Sequence, residues 1–140
     1  MIDPNQITEI PLSEEEEIYK ENVLDHFRNP RNFGNLTQCI SHKELNPLCG
    51  DQLELFLKIE NNNISDIKFN GKGCAISQAS ASLLTEFIKG KSLDEAKQVN
   101  EDKIKELLGI PISYMRIKCA TLSLKILNKI TGAKNVKAWN

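Results

Sequence analysis

The stretch QLELFLKIENNNISDIKF, residues 52–69, decides the fold class because apolar and polar residues alternate along its first half. The apolar positions of that half are Leu53, Leu55, Leu57 and Ile59. A period of two predicts a strand with one buried face. Asn61–Asn63 tolerates left-handed backbone and predicts a turn, so residues 64–69 are interpreted as the returning strand of a hairpin. Residues 38–45 leave the choice between a loop and a further short strand open.

Upstream of this hairpin the apolar spacing becomes helical. Ser13 and Glu16 match a capping box, which predicts the start of a first helix. That helix should end near Asn29, because Pro30 disfavours helical geometry in the residue before it.

Downstream of the hairpin the sequence predicts further helices. Residues 75–89 predict a long one ended by Gly90, and shorter ones follow before Gly109. The last helix is predicted to start after Pro111 and to run to about Thr131, ended by Gly132. Its predicted apolar stripe is Met115, Cys119, Leu122, Ile126 and Ile130. Strands first and helices afterwards predict an α+β fold, with helices packed on one face of a small antiparallel sheet.

The size and charge of the chain limit its function. Its 140 residues fit one domain, and we expect residues 1–140 to form it, with residues 1–12 as a flexible arm. The 18 basic and 19 acidic residues give a formal net charge of −1, which argues against a nucleic-acid partner. No apolar run approaches the ~20 residues of a membrane span, and the acidic N-terminal region is unlike a signal peptide. We therefore expect a cytoplasmic protein.

The four cysteines are the candidates for chemistry. Cys49 lies on a predicted turn, two residues before Asp51. Cys74 lies at a predicted helix N-terminus, where the helix dipole favours the thiolate. Cys119 follows the cations Arg116 and Lys118, which also favour a thiolate, although its place on an apolar stripe by itself favours core packing. No C-x-x-C pair occurs, so spacing alone leaves both a three-cysteine site and buried, inert cysteines open.

The complete motifs around these cysteines resemble one family. They are NPLCGD at 46–51, GKGCAISQASAS at 71–82, RIKCA at 116–120 and DHFRNPRNFG at 25–34. In this order they are similar to the iron–sulfur cluster assembly scaffold family of IscU, SufU and the N-terminal domain of NifU. The resemblance implies a three-stranded antiparallel sheet. It also implies a surface metal site of Cys49, Asp51, Cys74 and Cys119, without Cys39.

This resemblance implies a scaffold and not an enzyme. A cysteine desulfurase would pass persulfide sulfur to Cys119, with Lys118 in an auxiliary role, steadying the thiolate or pairing with Asp51. Iron at Cys49, Asp51 and Cys74 would then form a transient [2Fe–2S] cluster that acceptor proteins take. Three thiolates and one harder carboxylate suit a cluster that must leave.

A second interpretation is a SufU-like zinc-dependent sulfurtransferase, in which the same four side chains bind Zn²⁺. The RIKCA form with Lys118 is similar to SufU, whereas IscU-type members usually carry histidine at that position. The insertion usual in SufU between the second and third cysteines is missing. The IscU segment recognised by a dedicated Hsp70-type chaperone is not matched by residues 110–114, so such a partner is not implied.

The remaining polar candidates are interpreted as structural. His26 is expected to pack near a helix end, and His42 receives no role. Ser77, Ser80 and Ser82 are expected to form a small polar helix face, because no histidine–acid partner is signalled for a nucleophile. A third interpretation of the whole chain, a binding module with merely buried cysteines, remains beside the other two.

Overall fold

The computed structural model describes residues 12–47 and 50–133 of the chain. Cys49 and all of the predicted N-terminal arm except Leu12 lie outside the described residues. The elements are α1 (Glu14–Arg28), β1 (Ile40–Asn46), β2 (Asp51–Glu60), β3 (Asn63–Lys72), α2 (Ala75–Ile88), α3 (Leu93–Lys97), α4 (Glu101–Leu108) and α5 (Ile117–Thr131), with a short 3₁₀ helix (Tyr114–Arg116) before α5. No helix among these residues has the length and apolar character needed to cross a bilayer.

The three strands form one antiparallel sheet in the order β1–β2–β3. Leu55 in the central strand faces His42 on one side and Phe69 on the other. Asn61 and Asn62 make the β2–β3 turn with φ of 51° and 62°, the left-handed backbone for which asparagine is suited. The predicted hairpin is thus confirmed, and the open choice at residues 38–45 is resolved as strand β1.

One face of this sheet forms the core, and α2 and α5 cover it. Leu53, Leu55 and Leu57 point to that face and are fully buried, each contributing about 1.5–3 kcal/mol relative to an exposed side chain. The opposite face places the polar residues Lys43 and Glu54 side by side. The predicted α+β architecture is therefore confirmed, with α1 packed mainly on α2.

A buried hydroxyl joins α1 to α2. Ser82 is fully buried, its Oγ lies 2.7 Å from His26 Nδ1, and it accepts a 2.9 Å hydrogen bond from the backbone N–H of Arg31. His26 is itself 3% exposed. The structure therefore agrees with the structural interpretation of both residues.

Replacing Ser82 with alanine is expected to destabilise the fold by about 1–3 kcal/mol, because the part-buried N–H of Arg31 and the buried His26 ring each lose a partner. Ser65→Ala, at an exposed position of β3, is the matched control and should cost less than about 0.5 kcal/mol. Urea unfolding of both variants measures the difference. Equal midpoints would show that the Ser82 contacts do not stabilise the interface.

The predicted start of the last helix is wrong. Residues 111–113 are not helical, Tyr114–Arg116 is a 3₁₀ turn, and α5 begins only at Ile117. The backbone N–H of Arg116 bonds to the carbonyl of Ser113, three residues back. Because a 3₁₀ turn has about three residues per turn, Met115 does not continue the stripe of α5 and is 79% exposed. The end at Gly132, in left-handed backbone, agrees with the prediction.

Candidate metal centre

Three of the four predicted ligands converge from distant parts of the chain. Asp51 begins β2, Cys74 is the N-cap of α2, and Cys119 lies in the first turn of α5. One carboxylate oxygen and the two sulfurs all lie within 4.8 Å of one another. Cys49 lies in the part of the chain that the structure does not describe, so its membership remains a prediction. Cys39 lies outside this group, and its thiol donates to the Leu36 carbonyl at 3.4 Å.

Glycine lets the β3–α2 junction approach Asp51. The backbone N–H of Cys74 donates to Asp51 Oδ1 at 2.9 Å. A Cβ on Gly73 would lie 2.7 Å from Ser77 Oγ and 2.9 Å from Asp51 Cγ, closer than van der Waals contact allows. Gly71 has φ of +146°, and a side chain there would collide with the backbone of β2. These two glycines therefore allow the close approach that places the Cys74 backbone against the Asp51 carboxylate.

Cys74 carries the negative charge of the thiol pair. A hydrogen bond from the Cys119 thiol lowers the pKa of Cys74 to about 6, against the opposing effect of burial. The backbone N–H of Ser77 also lowers this pKa, whereas the Asp51 charge raises it. Above pH 6 the Cys74 sulfur is therefore mainly a thiolate, the form that binds metals and attacks electrophiles.

The charge on Cys74 predicts the pH dependence of its alkylation. In metal-free protein, the rate of iodoacetamide modification of Cys74 should rise through a midpoint near pH 6, below the ordinary thiol value of about 8.5. Cys119→Ser keeps a hydroxyl donor and should keep the low midpoint, whereas Cys119→Ala should raise it. Mass spectrometry of the Cys74 peptide measures the rate, and a wild-type midpoint above pH 8 would contradict the assignment.

Asp51 presents an oxygen suited to a cation. The side chain is 1% exposed, and its Oδ2 has no hydrogen-bond partner among the described residues. Leaving a buried carboxylate oxygen unsatisfied is costly, and a bound metal ion removes that cost. Two thiolates beside one carboxylate form a mixed donor set that fits iron or zinc.

The group of candidate ligands is more enclosed than the surface site that the resemblance implies. Asp51 and Cys119 are buried, and Cys74 is half-buried, so the exposed part of this group lies at Cys74. Cys119 accepts a 3.6 Å hydrogen bond from the Asn46 side chain. No sequence signal assigns Asn46 a role, because it reaches Cys119 only through the packing of α5 against β1.

Comparison with known proteins agrees with the fold and the motifs. A model of the NifU-like N-terminal domain matches residues 18–135. The zinc-dependent sulfurtransferase SufU of Bacillus subtilis is 38% identical over 129 residues, covering 80% of this chain and 88% of that protein. The iron–sulfur cluster assembly scaffold protein IscU of Haemophilus influenzae is 40% identical over 110 residues, covering 75% of this chain and 86% of that protein.

Solved structures show the same architecture. The crystal structure of a putative iron–sulfur cluster assembly scaffold protein for the SUF system from Fervidobacterium islandicum superposes with a TM-score of 0.67 at 29% identity. The match covers 81% of this chain and 96% of that one.

Proposed function

The chain belongs to the NifU-like N-terminal domain family, and from this premise we propose that it is a scaffold on which iron–sulfur clusters are assembled. The observation that carries the proposal is the meeting of Asp51, Cys74 and Cys119, with their ligand atoms within 4.8 Å. The unsatisfied, buried oxygen of Asp51 supports it further. Cys49, two residues before Asp51, is proposed as the fourth ligand.

The mixed ligand set suits a cluster that is delivered and not kept. Thiolates are soft ligands that suit iron–sulfur clusters. The carboxylate of Asp51 is a harder ligand and should hold its iron less firmly than a fourth thiolate would. We therefore propose a labile [2Fe–2S] cluster as the cargo, with an acceptor protein as its destination.

Sulfur is proposed to arrive as a persulfide from a cysteine desulfurase. The Cys119 thiol passes its proton to the neighbouring Cys74 thiolate, and the Cys119 sulfur then attacks the outer sulfur of the donor persulfide. A new S–S bond forms on Cys119, and the desulfurase cysteine leaves as a thiolate. Release of this sulfur as sulfide takes two electrons, which a dithiol supplies as it closes to a disulfide. Because Cys119 is buried, the attack requires the first turn of α5 to become accessible when the desulfurase docks. Lys118, its neighbour, is proposed to steady the thiolate.

Anaerobic reconstitution with ferrous iron and sulfide tests the scaffold. Wild-type protein should retain equal amounts of iron and sulfide after desalting and should absorb in the visible region. Incubation with a desulfurase and cysteine, without iron, should place the persulfide on Cys119 in a mass spectrum. Absence of any cluster would refute the scaffold, and a persulfide confined to Cys74 would refute the role of Cys119.

The second candidate function is a zinc-dependent sulfurtransferase. Its support is the donor set itself, since two thiolates and a carboxylate also fit tetrahedral zinc, together with the similarity to SufU. Metal analysis of protein purified without oxygen separates the two candidates. Stoichiometric zinc that resists chelation, with no cluster after reconstitution, would favour the transferase.

The setting of this function is also a proposal. We place the protein in the cytoplasm as one domain over residues 1–140, with a cysteine desulfurase and iron–sulfur acceptor proteins as its partners. Purification of the tagged protein with crosslinking in its own cells tests the partners, and recovery of neither class would contradict them.

A further inference from the structure

Asn46 is a buried amide beside the candidate metal centre. It ends β1, is fully buried, and its Nδ2 donates to Cys119 Sγ at 3.6 Å. Cys119 is also fully buried. This contact joins two side chains that lie 73 residues apart in the chain, so it depends on α5 packing against β1.

The backbone of Asn46 links the same residue to a second ligand. Its carbonyl accepts the N–H of Gly50 at 2.8 Å. In the sheet register Asn46 is paired with Asp51. Asn46 therefore contacts one candidate ligand, Cys119, with its side chain and is the strand partner of a second, Asp51.

The chemistry of an amide donor suits a sulfur ligand in a buried site. A neutral N–H aimed at the Cys119 sulfur stabilises negative charge there without burying a second charge. Hydrogen bonds to ligand sulfurs also set the reduction potential of iron–sulfur clusters, and partners of ligands orient them for binding. An aspartate at this position would have the same shape but would place a second carboxylate beside the sulfur.

We propose that Asn46 is a positioning residue, whose side-chain N–H holds the Cys119 sulfur in the metal-binding geometry and tunes the potential of the bound cluster. This inference rests on the proposed function. On this proposal Asn46 strengthens metal binding without being a ligand itself.

The first test uses Co²⁺ as a probe for the metal-free protein, followed through thiolate-to-cobalt absorption. Asn46→Leu, which removes the donor at similar volume, should weaken Co²⁺ binding by about 10–100-fold. Asn46→Asp should weaken it at least as much, because it reverses the donor. Asn70→Leu on the opposite face of the sheet, where the Asn70 side chain donates to Asn35 at 2.7 Å, should leave the affinity unchanged.

The second test separates positioning from a merely structural role. The reduction potential of the reconstituted cluster in Asn46→Leu should become more negative than in wild type, since an N–H bond to sulfur is lost. A lower melting temperature with an unchanged potential and Co²⁺ affinity would overturn the inference. If Asn46→Leu does not fold, Asn46→Ser, whose hydroxyl is too short to reach the sulfur, should show the same two losses.

The outcomes also separate this inference from the proposed function. Wild-type protein that binds neither Co²⁺ nor a cluster would refute the metal centre itself. Wild-type protein that binds both, with Asn46 variants that bind them equally well, would refute only the role of Asn46.

Discussion

Cys74→Ala protein is expected to retain no iron–sulfur cluster after anaerobic reconstitution, whereas Cys39→Ala protein retains the wild-type amount. The two cysteines are matched, because both are half-buried free thiols. Only Cys74 lies with Asp51 and Cys119 in the group of candidate ligands. The substitution therefore removes a soft ligand that carries charge at neutral pH, while the control removes a thiol that contacts a backbone carbonyl.

The expected loss for Cys74→Ala exceeds 100-fold in metal affinity, since changes in residues that only support a ligand already cost about 10–100-fold. Iron and sulfide per chain, with the visible spectrum, measure the result after desalting. Circular dichroism shows whether each variant is folded. Cluster retention by folded Cys74→Ala, or equal loss in Cys39→Ala, would contradict the assignment of the site.

Asp51→Cys protein is expected to hold its cluster longer than wild type. The substitution replaces the carboxylate with a fourth thiolate, which binds iron more firmly. If the binding free energy of the cluster improves by about 1.4 kcal/mol and the whole gain lies in the dissociation rate, the lifetime of the cluster against a chelator becomes about tenfold longer. Transfer of the cluster to an acceptor protein should slow by the same factor.

Asp51→Ala is the matched control, because it removes the oxygen and supplies no new ligand. The Asp51→Ala protein should lose its cluster faster than the Asp51→Cys protein does. The rate at which visible absorption is lost in the presence of a chelator gives the cluster lifetime in wild type, Asp51→Cys and Asp51→Ala. Identical lifetimes would show that Asp51 does not bind the cluster and that the mixed ligand set does not explain its lability.

Local features of the fold could be predicted from local sequence. The alternation in residues 52–59 and the asparagines that follow encode the β2–β3 hairpin. The capping box at Ser13 marks the start of α1. Each of these signals depends on residues a few positions apart, whose hydrogen bonds form within one turn or one hairpin.

The same kind of local periodicity predicted the start of α5 too early in the chain. Met115 has the spacing of the helix that follows. Spacing alone, however, does not distinguish the i to i−4 hydrogen bonds of an α-helix from the i to i−3 hydrogen bond that the Arg116 N–H makes to Ser113. The strand β1 was left open for a related reason. Its face toward the core includes His42 and Glu44, which pair with each other, so its apolar alternation is weak.

The sequence alone determined the sheet hairpin, the helices and the identity of the candidate ligands, because periodicity and motifs are properties of neighbouring residues. Only the tertiary structure decided that Asp51, Cys74 and Cys119 meet, that Cys119 is buried and that Asn46 donates to its sulfur. These residues belong to separate elements, and no local bond joins them. They come together because α2 and α5 bury their apolar faces on one face of the sheet, and that packing is a property of the whole fold.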